Sequence, residues 1–587
     1  MQLLTPAAVL LITSAAHLAG AQEQYFDDPA YFPDVNAYGN NATLFAFPPC
    51  GSFTLEEATI DQMQDAMRDG SLSAVQLLTC YVQRAYQTRD YLNTIIEFNP
   101  DAHNIAAALD AERAAGTVRG PLHGIPFVVK DNIASKDKMQ TTAGSWALLG
   151  SIVPRDAFVV TKLRDAGAVL MGKATLSEWA DMRSNNYSEG YSPRGGQCRS
   201  AYNFTVNPGG SSSGSGVGVA ANVFAFALGT ETDGSVINPA ERNAVVGIKP
   251  TVGRTSRDGV VPECTHQDTV GTFGRTVRDA AYAFDAIWGA DQRDNYTFPQ
   301  PDQPGGFMPA FSNRSALQGA TFGIPWDSFW VLADAEQQAK LLDFLALIES
   351  AGATILNHTE ITDYQTLVSA TGWDWDYGTH RGYPNESEYT VVTVDFYNNI
   401  ATYLSELENT SMRSLQDLVD FNYANDGTEG GNPYPLGIPA FYSGQDGFLA
   451  SLATNGTESS TYWEALGFCQ SKTRTGINDA LGLNGPGPQR PDKRIDGLLV
   501  PPDVAQAAQI AAQAGYPMLT LPAAVHSESG MPFGLALMQT EWAEAELIKW
   551  GSAIEDLVFA EGRAKAIGRT LPEWRGYLER NLPVINA

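Results

Sequence analysis

Short apolar runs alternate with helical patterns along this chain, and this alternation limits the possible folds more than any other feature. Three runs in the first half, within "GIPFVVKDN", "GAVLMGKA" and "FAFALGTE", contain few polar residues. Such runs are typical of strands buried on both faces of a sheet, and the first predicts a strand from Ile125 to Val129. Helical patterns such as "DAFVVTKLRDAG" separate them. The chain is therefore predicted to be an α/β protein with a mixed, mainly parallel central sheet covered by helices.

The same pattern returns near the C-terminus, which favours one discontinuous domain. A length of 587 residues would allow one large domain or two to four ordinary ones. From about 296 to 492 the chain is rich in aromatic residues and in glycine- and asparagine-containing loops. This variable region is either a separate domain or a large insertion. We favour a single domain over residues 51–587 that contains the variable region.

The first 21 residues have the pattern of a secretory signal peptide. An apolar stretch ends in Ala19-Gly20-Ala21, and we expect cleavage near Ala21. Residues 22–50 would then form an N-terminal extension of the mature, secreted protein. A membrane anchor is the alternative, because only the amino terminus is positively charged ahead of the apolar stretch. No later apolar run approaches the roughly 20 residues that span a bilayer, which argues against stable membrane insertion.

Sequons for N-linked glycosylation fit a secreted protein. They make nine asparagines candidate glycosylation sites, namely Asn41, Asn186, Asn203, Asn295, Asn313, Asn357, Asn385, Asn409 and Asn455.

Charge and cysteine content exclude several classes of function. With 37 basic and 66 acidic residues, the formal net charge is −29, which repels nucleic acid and anionic membranes. The cysteines are too scattered for a CxxC metal site, and the histidines form no HExxH pattern. We therefore expect no metal and no cofactor. One or two disulfides are plausible, but pairing and oligomeric state stay open; the cysteines are Cys50, Cys80, Cys198, Cys264 and Cys469.

Two polar turns and one lysine are candidates for catalysis. The segment "NPGGSSSGSGVGVAA" could be a phosphate cradle, a flexible linker or a catalytic loop, but it lacks the lysine of a Walker loop and runs directly into a buried helical pattern. The segment "GTETDGS" places Ser235 on a turn after an apolar strand. Lys130 ends another apolar strand, where burial lowers a lysine pKa and makes the neutral, basic form accessible.

Five segments, by their order and spacing, resemble the amidase-signature hydrolases, and the resemblance extends from about Leu55 to Arg575. They are "GIPFVVKDN" (Gly124–Asn132), "GGSSSGSG" (Gly209–Gly216), "GTETDGSVINPA" (Gly229–Ala240), "VGIKPTVGRTSRDGVVP" (Val246–Pro262) and "DTVGTFGRTVRDAA" (Asp268–Ala281). The family resemblance implies an amidase-signature fold and hydrolysis of carboxamide bonds through an acyl-enzyme.

The resemblance also implies a Ser-cisSer-Lys triad. Ser235 matches the family's nucleophile, Ser211 its bridging serine and Lys130 its base, and the 24-residue step between the two serines is the family's spacing. The bridging serine follows a cis peptide bond in the family, here Gly210-Ser211. Backbone N–H groups of the turn would bind the oxyanion; they belong to Thr232, Asp233, Gly234 and Ser235.

Neighbouring residues have less specific interpretations. Ser212 and Ser213 are interpreted as packing or hydrogen-bonding residues, and His266 as part of the wall of the site. The aromatic residues of the variable region either line an acyl pocket or belong to the core; they include Trp326, Trp330, Trp373, Trp375 and Tyr377.

The substrate is less well defined than the mechanism. The segments "GTETDGS", "SEWADMRS" and "RGGQC" resemble the peptide-amidase-like branch of the family, which favours a peptide or small-molecule amide as substrate. An ester or carbamate hydrolase with the same triad is one alternative. Another is an amidotransferase-type subunit, which the leader and the acidic charge oppose. A third is a non-catalytic binding protein, which the intact triad opposes.

Overall fold

The computed structural model describes residues 45–185, 187–429, 444–488, 490–560, 571–572 and 574–575 of the 587-residue chain. The predicted signal peptide, most of the N-terminal extension, and the sequons at Asn41 and Asn186 lie outside the described residues.

One large mixed sheet organises the described chain as a single domain. Eleven strands form it in the order β1-β3-β2-β6-β8-β7-β12-β13-β11-β9-β10, and β4 and β5 form a separate small ribbon. The strands are β1 (Ile95–Phe98), β2 (Pro126–Lys130), β3 (Val169–Ala174), β4 (Tyr191–Ser192), β5 (Gly196–Gln197), β6 (Phe226–Glu231), β7 (Val246–Lys249), β8 (Thr269–Gly274), β9 (Thr321–Ile324), β10 (Thr354–Asn357), β11 (Gly497–Val500), β12 (Met518–Val525) and β13 (Pro532–Met538).

Helices cover the sheet. Those described are α1 (Ile60–Asp69), α2 (Ala74–Leu92), α3 (Ala102–Ala114), α4 (Phe158–Asp165), α5 (Ser213–Ala220), α6 (Ile237–Glu241), α7 (Val277–Ile287), α8 (Ala335–Ser350), α9 (Tyr364–Leu367), α10 (Tyr377–His380), α11 (Glu388–Glu406), α12 (Leu415–Ala424), α13 (Asp426–Glu429), α14 (Asp446–Thr454), α15 (Ser460–Ala480), α16 (Ala507–Ala514) and α17 (Glu544–Val558).

Parallel pairing is confined to two blocks of this sheet. Strands β3, β2 and β6 are parallel neighbours, and so are β11, β9 and β10. The strands between the blocks pair antiparallel, as does β1 at the edge. The pattern follows the connections: helix α4 links β2 to β3 and α8 links β9 to β10, whereas a short turn joins β12 to β13. The predicted mixed sheet is confirmed, and the antiparallel centre adds to the expected pattern.

The variable region belongs to the same architecture. Strands β9 and β10 lie within it, yet they extend the main sheet beside β11. Its helices pack on each other and on the body of the domain, as α11 does on α14 and α15, and α15 on α16. Trp330 is fully buried, and its indole N–H donates to the carbonyl of Leu499 on β11 at 3.0 Å. This aromatic residue is therefore part of the core rather than of an acyl pocket.

A disulfide ties the start of the described chain to the helical layer. Cys50 is bonded to Cys80 on α2, and the other three cysteines, Cys198, Cys264 and Cys469, are free and buried. Within the described ranges, no helix has both the length and the apolar character needed to cross a bilayer.

Candidate active site

The ends of two parallel strands bring the candidate residues together. β2 and β6 are adjacent and in register, with Val129 opposite Leu228. Their carboxyl ends therefore lie side by side, which places Lys130, the last residue of β2, next to the turn that follows β6. The observed strand is one residue later than the predicted one, because it begins at Pro126 and includes Lys130.

Lys130 is fully buried and makes three polar contacts. Its Nζ lies 2.7 Å from Ser211 Oγ, 2.9 Å from Thr230 Oγ1 and 3.3 Å from the Thr230 carbonyl. Burial lowers the pKa of Lys130 to about 8, and the nearby carboxyl of Glu263 partly opposes this effect. The neutral amine is thus accessible at mildly alkaline pH.

The segment from Gly209 to Ser213, here called the serine loop, is tightly packed across the site. The Gly210-Ser211 peptide bond is cis. A side chain at Gly210 would overlap Glu189 Oε1 and would require the Glu189 side chain to move. The hydroxyl of Ser212 donates to the Thr230 carbonyl at 3.1 Å, and that of Ser213 donates to the Gly209 carbonyl at 2.6 Å. These two serines therefore hold the loop, while the Ser211 hydroxyl faces Lys130.

The turn after β6 presents Ser235 with its backbone fixed from both sides. Gly234 has φ +138°, a region that L-residues rarely adopt. The buried carboxylate of Glu231 accepts hydrogen bonds from the N–H groups of Val236 and Ile237 at 2.7 and 2.9 Å. The carbonyl of Ser235 accepts one from Ser212 N–H at 3.3 Å. The turn is thereby joined to the serine loop.

Several polar groups of this turn have no hydrogen-bond partner among the described residues. The Ser235 side-chain hydroxyl makes no hydrogen bond to the part of the chain that the structure describes, and Ser235 is 5 % exposed. The backbone N–H groups of the predicted oxyanion-binding residues also donate to no described residue; they are those of Thr232, Asp233, Gly234 and Ser235. Four adjacent N–H donors and one hydroxyl of this turn therefore have no partner among the described residues.

Five carboxyl groups surround the lysine and the turn, and sequence reasoning assigned a role to none of them. Burial raises the pKa of Glu263 and Asp233 well above the usual range, and neighbouring carboxyls add to the effect. The others are Asp181, Glu189 and Asp268. They come from the segment after β3, from the turn itself and from the loop before β8, so no local sequence pattern unites them.

The loop before β8 contributes two further contacts. β8 is antiparallel to β6, so the start of β8 lies beside the end of β6, with Thr269 opposite Glu231. Thr232 Oγ1 donates to Asp268 Oδ1 at 2.7 Å, and Gln267 Nε2 donates to the Thr232 carbonyl at 3.0 Å. A cavity of about 620 Å³ is lined in part by Thr265 and Asp268 of this loop, but none of the predicted triad residues line it.

One group of side chains elsewhere has the composition of a metal site. Possible ligand atoms of Asp327, His358 and Glu360 lie within 4.8 Å of one another. The Glu360 carboxylate already accepts hydrogen bonds from the backbone N–H groups of Asp327 and Ser328, at 3.0 and 2.8 Å. These bonds account for the carboxylate without an ion, and we assign no metal to it.

Comparison with known proteins relates the chain as a whole to one family. The model of the amidase family matches residues 76–414. A candidate amidase of Schizosaccharomyces pombe is 52 % identical over 577 residues, which cover 97 % of this chain and 95 % of that one. The solved structure of native peptide amidase from Stenotrophomonas maltophilia aligns with a TM-score of 0.74 and 35 % identity, over 88 % of this chain and 98 % of that one. A glutamyl-tRNA(Gln) amidotransferase component from Symbiobacterium thermophilum is 40 % identical over 291 residues, 49 % of this chain and 57 % of that one.

Proposed function

Because the chain belongs to the amidase family and is a hydrolase of amide bonds, we propose that it acts through a Ser-cisSer-Lys triad. In this proposal Ser235 is the nucleophile, Ser211 the bridging serine and Lys130 the base. The observation that carries the proposal is the buried contact of 2.7 Å between Lys130 Nζ and Ser211 Oγ. A buried lysine whose pKa is lowered to about 8 can accept the proton that a serine nucleophile must lose.

The triad acts in two half-reactions. Ser235 Oγ attacks the amide carbon while its proton passes to Ser211 Oγ, whose own proton passes to neutral Lys130. The C–N bond then breaks, and the proton returns through Ser211 to the leaving amine or ammonia. Water attacks the resulting acyl-enzyme by the same relay and releases the carboxylate, which regenerates Ser235.

The uncommitted N–H groups of the turn support the oxyanion assignment. Charge develops on the carbonyl oxygen when Ser235 attacks, and donors held in place before the reaction stabilise that charge. The turn provides four such donors, from Thr232 to Ser235, with no competing acceptor among the described residues. A donor of this kind typically contributes about 3 kcal/mol to transition-state stabilisation.

The relay requires one movement on substrate binding. Lys130 and Ser211 are already in contact, whereas the Ser235 hydroxyl has no partner in the described chain. A hydrogen bond donated by the Ser235 hydroxyl to Ser211 Oγ would complete the relay. Catalytic hydrogen bonds of this type often form only in the substrate complex.

A peptide amide or a small-molecule amide is the proposed substrate. This assignment rests on the "GTETDGS" segment and on the similarity to the solved peptide amidase. The net charge of −29 opposes tRNA as a partner. Esters and carbamates react by the same chemistry and belong in the same substrate panel.

We also propose that the protein is secreted and glycosylated. The apolar leader ending near Ala21 supports export. The disulfide Cys50–Cys80 suits an oxidising compartment. Five sequon asparagines are exposed, as a glycan requires; they are Asn295, Asn313, Asn357, Asn409 and Asn455.

Covalent labelling tests the catalytic proposal directly. A fluorophosphonate probe should label the wild-type protein on Ser235, as read by peptide mass spectrometry, and should not label the Ser235→Ala variant. The labelled and unlabelled enzyme are then compared on a panel of amides, esters and carbamates. Label on another residue, or hydrolysis that survives complete labelling, would refute the triad.

A further inference from the structure

The carbonyl group of Thr232 is held by a buried side chain. Gln267 is 4 % exposed, and its Nε2 donates to the Thr232 carbonyl at 3.0 Å. The Thr232 carbonyl and the Asp233 N–H belong to the same planar peptide unit, and in a trans peptide they point in opposite directions. Gln267 therefore fixes the direction of the Asp233 N–H, one of the four proposed oxyanion donors.

A second residue sets the orientation of Gln267. The other N–H of the same amide donates to Glu388 Oε1 at 2.5 Å, so both protons of the amide nitrogen are used. Glu388 is 2 % exposed and also accepts hydrogen bonds from Gln513, at 3.0 Å, and from Gln509. The Glu388 carboxylate therefore accepts hydrogen bonds from amide groups on two sides. Its position determines which edge of the Gln267 amide faces Thr232.

Glu388 belongs to helix α11 of the variable region. A second residue of α11 also binds the loop before β8, which contains Gln267. Asp395 lies seven residues later, two turns along the same helix face. Its carboxylate accepts hydrogen bonds from Cys264 Sγ at 3.2 Å and from Tyr462 Oη at 2.7 Å. The loop from Cys264 to Asp268 is thus fixed by two buried carboxylates of one helix.

We propose that Gln267, oriented by Glu388, is a positioning residue that directs the Asp233 N–H toward the substrate oxyanion. This proposal rests on the proposed function, because it concerns the same turn. It gives the variable region a role in the acyl-transfer step. Gln267 and Glu388 form their hydrogen bonds with groups other than the triad side chains, so both act through the Thr232–Asp233 peptide.

The test removes the amide of Gln267 and keeps its length. Gln267→Met loses both hydrogen bonds but fills a similar volume. Gln337→Met is the matched control, because Gln337 lies on α8, is 3 % exposed and donates through its amide to Asp503 Oδ1 at 2.8 Å. The primary readout is the rate at which a fluorophosphonate labels Ser235, since that reaction also develops negative charge on an oxygen bound by the turn. Thermal unfolding of each variant is followed in parallel.

We expect Gln267→Met to slow labelling about 10- to 100-fold relative to Gln337→Met, which is less than the roughly 10²- to 10³-fold effect of removing an oxyanion donor, because the Asp233 N–H is misaligned rather than removed. On a C-terminally amidated dipeptide, kcat should fall by a similar factor and KM should change less than about threefold, since the donor acts in the transition state.

Glu388→Gln provides a second variant in case the first does not fold. It should slow labelling less, and the two changes together should be less than additive because they affect one contact.

Two results would overturn the proposal. Labelling of Gln267→Met and Glu388→Gln at the rate of the control variant would refute the positioning role alone, provided that the wild type is labelled on Ser235. A loss confined to KM would do the same, because it would indicate substrate binding rather than transition-state stabilisation. Absence of label on Ser235 in the wild type would instead refute the proposed function, and the positioning role with it.

Discussion

At the scale of single residues, burial gives Lys130 its chemistry. The side chain is fully buried and its pKa is lowered to about 8, while three oxygen atoms of Ser211 and Thr230 hold Nζ in place. Lys173 on β3 provides a contrast, because it is also fully buried and burial lowers its pKa to about 8. Its Nζ donates to Thr141 Oγ1 and to the Ile133 carbonyl, away from the serine loop. Burial alone therefore does not distinguish the proposed base; its contact with Ser211 does.

The nucleophile assignment predicts the behaviour of Ser235→Ala. The methyl group fits the same turn, whose backbone is fixed by Glu231 and Ser212, so the variant should fold. Turnover should fall to the background rate, because no acyl-enzyme can form. The measurement is hydrolysis of the amide panel, with folding checked by circular dichroism. A folded variant with the wild-type rate would contradict the assignment.

The lysine base predicts an acidic limb in the pH profile. A lysine pKa lowered to about 8 means that the protonated, inactive form predominates below that pH. We therefore expect kcat/KM to fall about tenfold per pH unit below pH about 8. Lys130→Ala should lose this limb and keep only weak activity, and Lys173→Met should retain the limb. A profile that stays flat down to about pH 4 would argue against a lysine base.

The relay distinguishes Ser211 from its two neighbours. Ser211→Ala interrupts the proton path and should lower kcat on the order of 10²-fold or more. Ser212→Ala and Ser213→Ala remove hydroxyls that donate to the carbonyls of Thr230 and Gly209, and each should have a clearly smaller effect. Steady-state kinetics of the three variants, each checked for folding by circular dichroism, decides the assignment. A larger loss in Ser212→Ala or Ser213→Ala would mean that the bridging serine is misassigned.

The residues that position the turn could not be found from local patterns. Lys130, Ser211 and Ser235 each lie in a short segment that resembles a segment of the amidase-signature family, so the resemblance could name them. Gln267 and Glu388 lie 35 and 156 residues after Thr232, in segments without such a composition. Their contact depends on strand β8 running beside β6 and on helix α11 packing over the loop. Gln267 directly precedes the segment "DTVGTFGRTVRDAA", but no local pattern indicates that its side chain contacts Thr232 and Glu388.

At the scale of elements, apolar runs predicted strands but not their directions. The apolar runs that indicated β2, β3 and β6 overlap the observed strands. They do so because strands buried on both faces need continuous apolar side chains. A short apolar run is equally compatible with parallel and antiparallel neighbours, so the antiparallel centre could not be predicted. Strand β10 has no fully buried residue, so its segment lacks the continuous apolar run that indicates a buried strand.

The disulfide predicts a stability difference without a change in catalysis. Cys50–Cys80 closes a segment of 30 residues between the start of the described chain and α2. Closing a loop of this size stabilises a protein by about 3.5 kcal/mol, chiefly through the unfolded state. A variant with both cysteines changed to serine should lose about that free energy of unfolding in urea, while kcat and KM stay unchanged. A large fall in kcat at a temperature where the variant is folded would show that the disulfide also shapes the site.

At the scale of the whole molecule, one sheet joins the catalytic segments and the variable region. The candidate site lies where β2, β6 and β8 meet, and α11 of the variable region reaches it through Glu388. The sequence could indicate a single domain because the apolar pattern returns near the C-terminus. It could not indicate that β9 and β10 extend the same sheet, since long-range pairing leaves no periodic signal along the intervening chain.

The net charge of the molecule predicts how salt affects substrates of different charge. The chain has a formal charge of −29 and a pI of about 4.5, so near neutral pH its field repels anions and attracts cations over a distance set by ionic strength. That distance is about 30 Å at 0.01 M salt and about 8 Å at 0.15 M. Three C-terminally amidated dipeptides that differ only in one glutamate, glutamine or lysine side chain form a matched set. Between these salt concentrations, kcat/KM should rise several-fold for the glutamate peptide, fall for the lysine peptide and change little for the glutamine peptide. Equal salt dependence of all three would show that the overall charge does not act on substrate association.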